Sequence, residues 1–400
     1  VLDFAKLTVV YQQALLQQVV PFWLNNSRDQ TWGGYFDALT ATGTPLAADK
    51  SVILLAQQIW SFAWLYNTVE PEHSWLDHAL HGADFLTRFG LDEKMNAYAL
   101  IDRIGKPVAP ATGKTTDAYC VIAYAQLHRA TGNDEWAMLA KQALLALIQQ
   151  RNKQRTKQQR ALGGFRQWQH LEEPVVVLNA LLATQFLLSE EDWKEYTEQV
   201  VDELVNTFLD KRLNILRETV LPDGAFSNTP EGRRLNPALT FETANALLDI
   251  ALKTSNRKLS LQVVTWCLSM CEWAWDEIDS GLQQYVDFLR QPGLDPNWQY
   301  RTARVHLQAL AVLIKSFFHT HHPDCLRWFQ KIHDYTFQHF PDGDQPGWHL
   351  ALDTQGKSLL SVKATPAAGC YHFVKPMTET IAFLQQCAQL QPPSRKFRLV

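Results

Sequence analysis

The sequence predicts an all-α protein: a six-hairpin (α/α) barrel of about twelve helices, with short β-hairpins in the long loops at one end. Three observations carry that expectation. Junctions between apolar-periodic segments alternate, short then long, along all 400 residues. Spacing averages about 33 residues for a helix with its link, as in an up-and-down helical array. The first and last helical segments are both apolar, so neither serves as a polar end cap, and closing the array into a barrel buries both terminal hairpins. One domain over residues 1–400 follows, with no residue-level repeat.

The first segment, Asp3 to Asn26, places Leu7, Val10, Tyr11 and Ala14 on one helical face and ends in the polar run Asn25 to Gln30. A Gly-rich connection, WGGYFDALTATGTPLA, mixes aromatic residues with turn formers and reads as a small hairpin before a helix from near Lys50 to near Asn67. Short, cap-rich links then fall near Glu70 to Ser74, at TGND (Thr131 to Asp134), SEED (Ser189 to Asp192), TSNR (Thr254 to Arg257) and HHPD (His321 to Asp324). The alternate junctions, near residues 31–49, 91–116, 152–172, 211–236, 278–298 and 341–368, are long and strand-like. Antiparallel helices linked this way put every short link at one end and every long one at the other.

Composition excludes several classes. A net charge of −4 gives no basic excess for nucleic acid or an acidic membrane surface, and no run reaches the roughly 18 apolar residues of a membrane span. The basic run Arg151 to Arg160 lies in an expected long loop and reads as a solvated surface. Six cysteines (120, 267, 271, 325, 370, 387) lack paired CxxC spacing, and no basic-led apolar run opens the chain, so reduced, buried thiols in a cytoplasmic protein are expected. Cys267 and Cys271 share a helix face without further ligands, and His319, His321 and His322 end a helix on the short-link side, so no metal is expected. No phosphate-binding glycine loop is present, and no cofactor is expected. A homodimer stays open beside a monomer.

In the expected barrel the even-numbered helices start at the long-loop end and converge. Lys50 and Gln57 open the second, Asp117 and Tyr119 the fourth, Pro174 to Asn179 the sixth, Asn236 to Glu242 the eighth, Trp298 to Arg304 the tenth and His372 the twelfth. One pocket lined by aromatic and a few polar residues is the expected site. Trp32, Tyr35, Trp60, Tyr119, Trp168, Trp298 and Tyr371 suit stacking on sugar C–H faces, or filling the core. Asp117 and Glu242 could pair as glycosidase carboxylates, or each could cap a helix or meet an arginine. His372, carried by GCYHF after a Gly-, Pro- and Ala-rich loop, stands at a helix N-terminus whose dipole favours the neutral imidazole of a general base. The alternative is a capping or packing histidine.

WGGYFD at Trp32 to Asp37, Lys50 followed by QQIW ending at Trp60, TDAY at Thr116 to Tyr119, EPVVVLNAL at Glu173 to Leu181, LNPALTFETA at Leu235 to Ala244 and GCYHF ending at Phe373 together resemble the N-acylglucosamine 2-epimerase family. That family also holds cellobiose 2-epimerases and mannose or other aldose–ketose isomerases, all six-hairpin (α/α) barrels. The resemblance implies proton abstraction beside the carbonyl of an open-chain sugar, through an enediolate, with a pair of histidines. His372 matches the second; the first falls at Leu239. Glu242 matches a carboxylate that binds sugar or orients a histidine, the family arginine near Trp60 falls on Gln57, and the glutamate of the tenth helix falls on Gln308. On this footing His372 and Glu242 are the expected catalytic residues. Gln57, Trp60, Asp117, Asn179, Asn236, Trp298 and Tyr35 are the expected contacts to a small-molecule sugar. With one base, isomerisation between carbons 1 and 2 survives better than epimerisation, which needs protons on both faces. His306 or His170 could replace the missing acid, or could pack or face solvent. A binding or regulatory member without catalysis, and an inverting glycosidase, are the alternatives.

Overall fold

The computed structural model describes residues 2–46, 48–110, 114–158 and 168–390, with backbone alone for 153–158. Twelve helices account for the fold among the described residues. They are α1 (residues 4–26), α2 (Val52–Thr68), α3 (residues 73–90), α4 (Thr115–Thr131), α5 (Asp134–Gln158), α6 (Glu172–Ala183), α7 (residues 190–208), α8 (Pro237–Lys253), α9 (Arg257–Ala274), α10 (Ala303–Thr320), α11 (Pro323–His339) and α12 (Tyr371–Leu390). In α1, Pro21 cannot donate to the ladder, and a π-helical stretch, Ala14–Val19, sits just ahead of it.

The short links are where their capping chemistry puts them. Ser189 accepts from the amide of Asp192 to start α7, Asn256 from that of Leu259 to start α9, and Gly132 closes α4 in the left-handed region.

The even helices pack in a closed ring: α2 on α4, α4 on α6, α6 on α8, α8 on α10, α10 on α12, and α12 back on α2. Their sequences explain the layering. Inner helices such as α8 and α10 are buried on nearly every face, whereas outer helices such as α7 and α11 bury one stripe, Trp193, Thr197 and Val200 in α7 and Trp328, Phe329, Ile332 and Tyr335 in α11.

At the long-loop end, the hairpins expected within loops are present at 38–40 with 45–46, 98–101 with 107–110, and 209–210 with 215–216. Successive long loops are also stitched to each other by antiparallel pairs: Lys50–Ser51 with Tyr98–Ile101, Gln169–His170 with Thr219–Val220, Arg234–Leu235 with Val286–Asp287, Arg301–Thr302 with Ala351–Leu352, and Ala38–Thr40 with Val362–Ala364. The last pair joins the first long loop to the sixth, at the same seam where α12 meets α2.

One expectation needs correction. The sequence leads one to expect the basic run in a loop, but α5 continues through Gln158; Arg, Lys and Gln are good helix formers, and polarity without Gly or Pro does not end a helix. Gln159 and Arg160, the end of the run, lie outside the described residues. No helix among the described residues is long and apolar enough to cross a membrane.

Candidate active site

The α12 N-terminus is built by a reciprocal cap. Gly369 N–H donates to His372 Nδ1 at 3.2 Å, and the His372 amide donates to Gly369 O at 3.2 Å. Because an amide can only donate, Nδ1 is the acceptor, so the neutral ring carries its proton on Nε2. The ring therefore caps its helix with one nitrogen and offers an N–H with the other. Burial and the nearby Arg304 guanidinium lower its pKa to about 3, so it is uncharged at neutral pH.

Around it the inner helices contribute in turn. Tyr371 stands edge-on to Trp60 of α2 (5.1 Å between centroids) and to Tyr119 of α4 (5.2 Å), and Trp60 stacks on Trp64 at 5.0 Å. Glu242 of α8 accepts from Arg304 of α10 at 3.3 Å and from Asn179 of α6 at 3.5 Å. Burial and then the Glu242 charge raise the Tyr119 and Tyr371 pKa values, keeping both as phenols. Gln57 lies one turn before Trp60 on α2 and is buried, its Oε1 without a partner among the described residues. Leu239, 5% exposed, precedes Glu242 by one turn and has nothing with which to move a proton.

Deeper in the barrel a chain of charges leads away from Glu242. Lys375 pairs with Glu379 (2.9 Å), Glu379 accepts from Asn245 (2.7 Å), and Lys315 donates to Asn245 (2.9 Å) and Asp249 (2.6 Å). Burial would lower the Lys375 pKa, but Glu379 and Glu242 raise it, so it stays charged.

His372, Glu242, Asn179, Trp60 and Gln57 thus share the inner ring. Four other expected contacts sit elsewhere. Tyr35 donates to His78 O at 2.6 Å and stacks on that ring at 4.8 Å, filling the layer between α2 and α3. Asn236 caps α8 through Leu239 N and donates to Glu218 at 3.0 Å. Trp298 lies in the fifth long loop against Gly293, beside Arg234 and Tyr285. Asp117 accepts from Ala97 N at 2.7 Å and lines a cavity of about 520 Å³ with Asp92 and Lys114, whereas Glu242 is bound to Arg304 and Asn179. All four occupy helix starts or loops, as the sequence indicates, but Tyr35, Asn236 and Asp117 are each turned by a bond to a residue distant in sequence.

Neither substitute histidine joins the ring. His306 is fully committed, accepting from Leu282 N at 3.0 Å and donating to Thr302 O at 2.8 Å, and His170 is exposed in a strand paired with Thr219. Missed in the sequence were the pairing role of Arg304, the open carboxylate of Glu172 at the start of α6, and the Lys375-to-Asp249 chain. A signal for Arg304 and the charge chain exists: 304, 308 and 315, 242, 245 and 249, and 372, 375 and 379 repeat polar residues at helical spacing in otherwise apolar helices. Among the described residues no group of three or more His, Cys, Asp or Glu could hold a metal ion.

A family model described as N-acylglucosamine 2-epimerase matches residues 34–375. The N-acylglucosamine 2-epimerase of Mus musculus is 28% identical over 374 residues, covering 89% of this chain and 87% of the mouse protein. Among solved structures, cellobiose 2-epimerase from Bacillus thermoamylovorans superposes with a TM-score of 0.82 at 18% identity, over 94% of this chain and 99% of that one. A D-mannose isomerase superposes at 0.80 and 14% identity, over 93% and 97%.

Proposed function

The chain belongs to the N-acylglucosamine 2-epimerase family of carbohydrate epimerases and isomerases, and from that premise we propose that it isomerises a free aldose between carbons 1 and 2 through an enediolate. The observation that carries this reading is the Nε2–H of His372, fixed by the Gly369 amide on Nδ1. A neutral imidazole held in that tautomer polarises a carbonyl oxygen and holds the enediolate oxygen as it forms. Arg304, paired with Glu242, adds positive charge beside it, while Asn179 and Glu242 suit sugar hydroxyls and Trp60 and Tyr371 suit C–H faces. Leu239 supports isomerisation over epimerisation, because no imidazole stands there to serve the opposite face of carbon 2.

Leu239 also supports a second reading, a member that binds sugar without turning it over. Deuterium exchange separates the two. The protein is incubated in D₂O with D-mannose, cellobiose and N-acetylglucosamine, and carbon 2 is followed by NMR. Exchange with at least one sugar, lost in His372→Asn, which keeps a cap acceptor but no Nε2–H, is the expected result. Binding of a sugar without exchange would leave the second reading standing and overturn the first.

A further inference from the structure

We infer that Glu172 is the base that removes the proton from carbon 2, taking the task that the imidazole missing at Leu239 would have had. This rests on the isomerase reading above. With Nδ1 capping Gly369, His372 has no lone pair to offer at Nε2, so the carbon proton must go to another group. Arg304 and Lys375 are held charged by their carboxylate neighbours and cannot accept it. Glu242 is buried and engaged with Arg304 and Asn179.

Glu172 differs in each respect. It lies in the first turn of α6, between α4 and α8 in the ring. Its neighbour Glu173 turns outward, 3.6 Å from Arg151 of α5, and one residue is about 100° of helix rotation. Asn179 follows Glu172 by seven residues, which brings it back to within about 20° on the same face. Asn179 meets Glu242, so the Glu172 carboxylate is on the barrel side, two turns nearer the mouth. Glu172 is exposed and forms no hydrogen bond or ion pair among the described residues, leaving both oxygens free for substrate. Its pKa is raised, first by partial withdrawal from water and then by Glu242 against the pull of Arg304, which makes it a better proton acceptor than a free carboxylate.

The step balances within these groups. The Glu172 carboxylate takes the proton from carbon 2, that C–H electron pair forms the C1=C2 bond, and the carbonyl pair moves to O1, where His372 Nε2–H and Arg304 hold it. A proton passes from O2 to O1 by way of Nε2. The protonated Glu172 then returns its proton to carbon 1 as the second carbonyl forms, and no co-reactant is consumed.

The test is Glu172→Gln, with Glu172→Asp beside it, in the D₂O exchange assay on D-mannose, with sugar binding and melting temperature measured in parallel. Glu172→Gln is expected to lose about 10²–10⁴-fold in exchange rate, with binding and melting point unchanged, and Glu172→Asp to retain part of the rate with the acid limb of its pH profile displaced. Wild-type exchange that persists within about three-fold in Glu172→Gln overturns this inference and leaves the isomerase reading intact. Absence of wild-type exchange overturns both.

Discussion

Replacing Asp29 with Asn should destabilise the barrel by about 3 kcal/mol, because it strands the buried Lys50. Asp29 and Lys50 are respectively 0% and 1% exposed at the side chain and lie 3.0 Å apart. Lys50 Nζ also donates to the carbonyls of Gly33 and of Arg103 (3.1 Å), so one ammonium ties the first long loop, the start of α2 and the second long loop together. At 3.0 Å the attraction is about 5 kcal/mol with an effective dielectric near 20, partly offset by desolvation. Removing one partner of such a pair costs about 3–5 kcal/mol. The lower figure applies because Asn keeps an acceptor for the amides of Thr31 and Trp32 and the two carbonyls still hold Lys50. With unfolding entropy near 2.1 cal/mol/K per residue, 3 kcal/mol lowers the melting point of a 400-residue unit by about 4 °C. Calorimetry and urea unfolding of Asp29→Asn, Lys50→Met and the double variant measure it. The double variant should recover more than half of the loss, since no buried charge is then left unpaired and Arg103, which also loses its carboxylate, is 35% exposed and stays hydrated. A single-variant loss below 1 kcal/mol, or a double variant as unstable as the sum of the singles, would refute the reasoning.

Three further outcomes are expected. Burial would raise the Asp29 pKa, but hydrogen bonds from Arg103 and Lys50 and the Lys50 charge hold the carboxyl well below the usual range. Its contribution is therefore complete above about pH 4 and is lost as pH falls further, a dependence that Asp29→Asn should remove. Asp37 has the opposite sign: burial, against the Ser51 amide and Lys50, pushes its pKa up to about 7. The folded state keeps a proton that the unfolded state loses, so stability falls as pH rises from about 4 to 7, by at most about 4 kcal/mol. In urea unfolding at pH 5 and pH 8, Asp37→Asn should gain on the wild type at the higher pH. Leu239→His should put an imidazole one turn ahead of Glu242, costing about 1–2 kcal/mol of stability and raising the ratio of epimer to ketose by about ten-fold or more, read by NMR of the sugar products.

The architecture was legible because it rests on local signals. Ser189, Asn256 and Gly132 mark their links by capping chemistry alone, and the alternation of link lengths fixes which helix starts meet. The rim pairs were not legible, since strands of two to four residues such as Lys50–Ser51 and Tyr98–Ile101 carry no periodicity and their partners are distant in sequence. The site divided along the same line. Residues aimed by the helix itself, such as Glu242, Asn179 and Trp60, fall where helical spacing puts them. Residues aimed by a nonlocal bond do not: Asp117 is drawn to Ala97 N, Tyr35 to His78 O and Asn236 to Glu218. His372 takes the capping reading of the two the sequence left open, and the same bond makes its Nε2–H a donor rather than the general base of the other. Glu172 is hidden in the sequence beside Glu173, and only the pairing of Glu173 with Arg151 separates an outward carboxylate from an inward one.

The state of the His372 ring tests the account most directly. With ¹⁵N-labelled histidine, and the resonance assigned by its absence in His372→Asn, a long-range ¹H–¹⁵N spectrum at pH 7 reports which nitrogen is protonated. The expected result is a neutral ring with the proton on Nε2 that stays neutral as pH is lowered to about 4, in keeping with a pKa near 3. A proton on Nδ1, or a ring that titrates near 6.5, would contradict the cap, the donor at the sugar carbonyl and the need for Glu172 together.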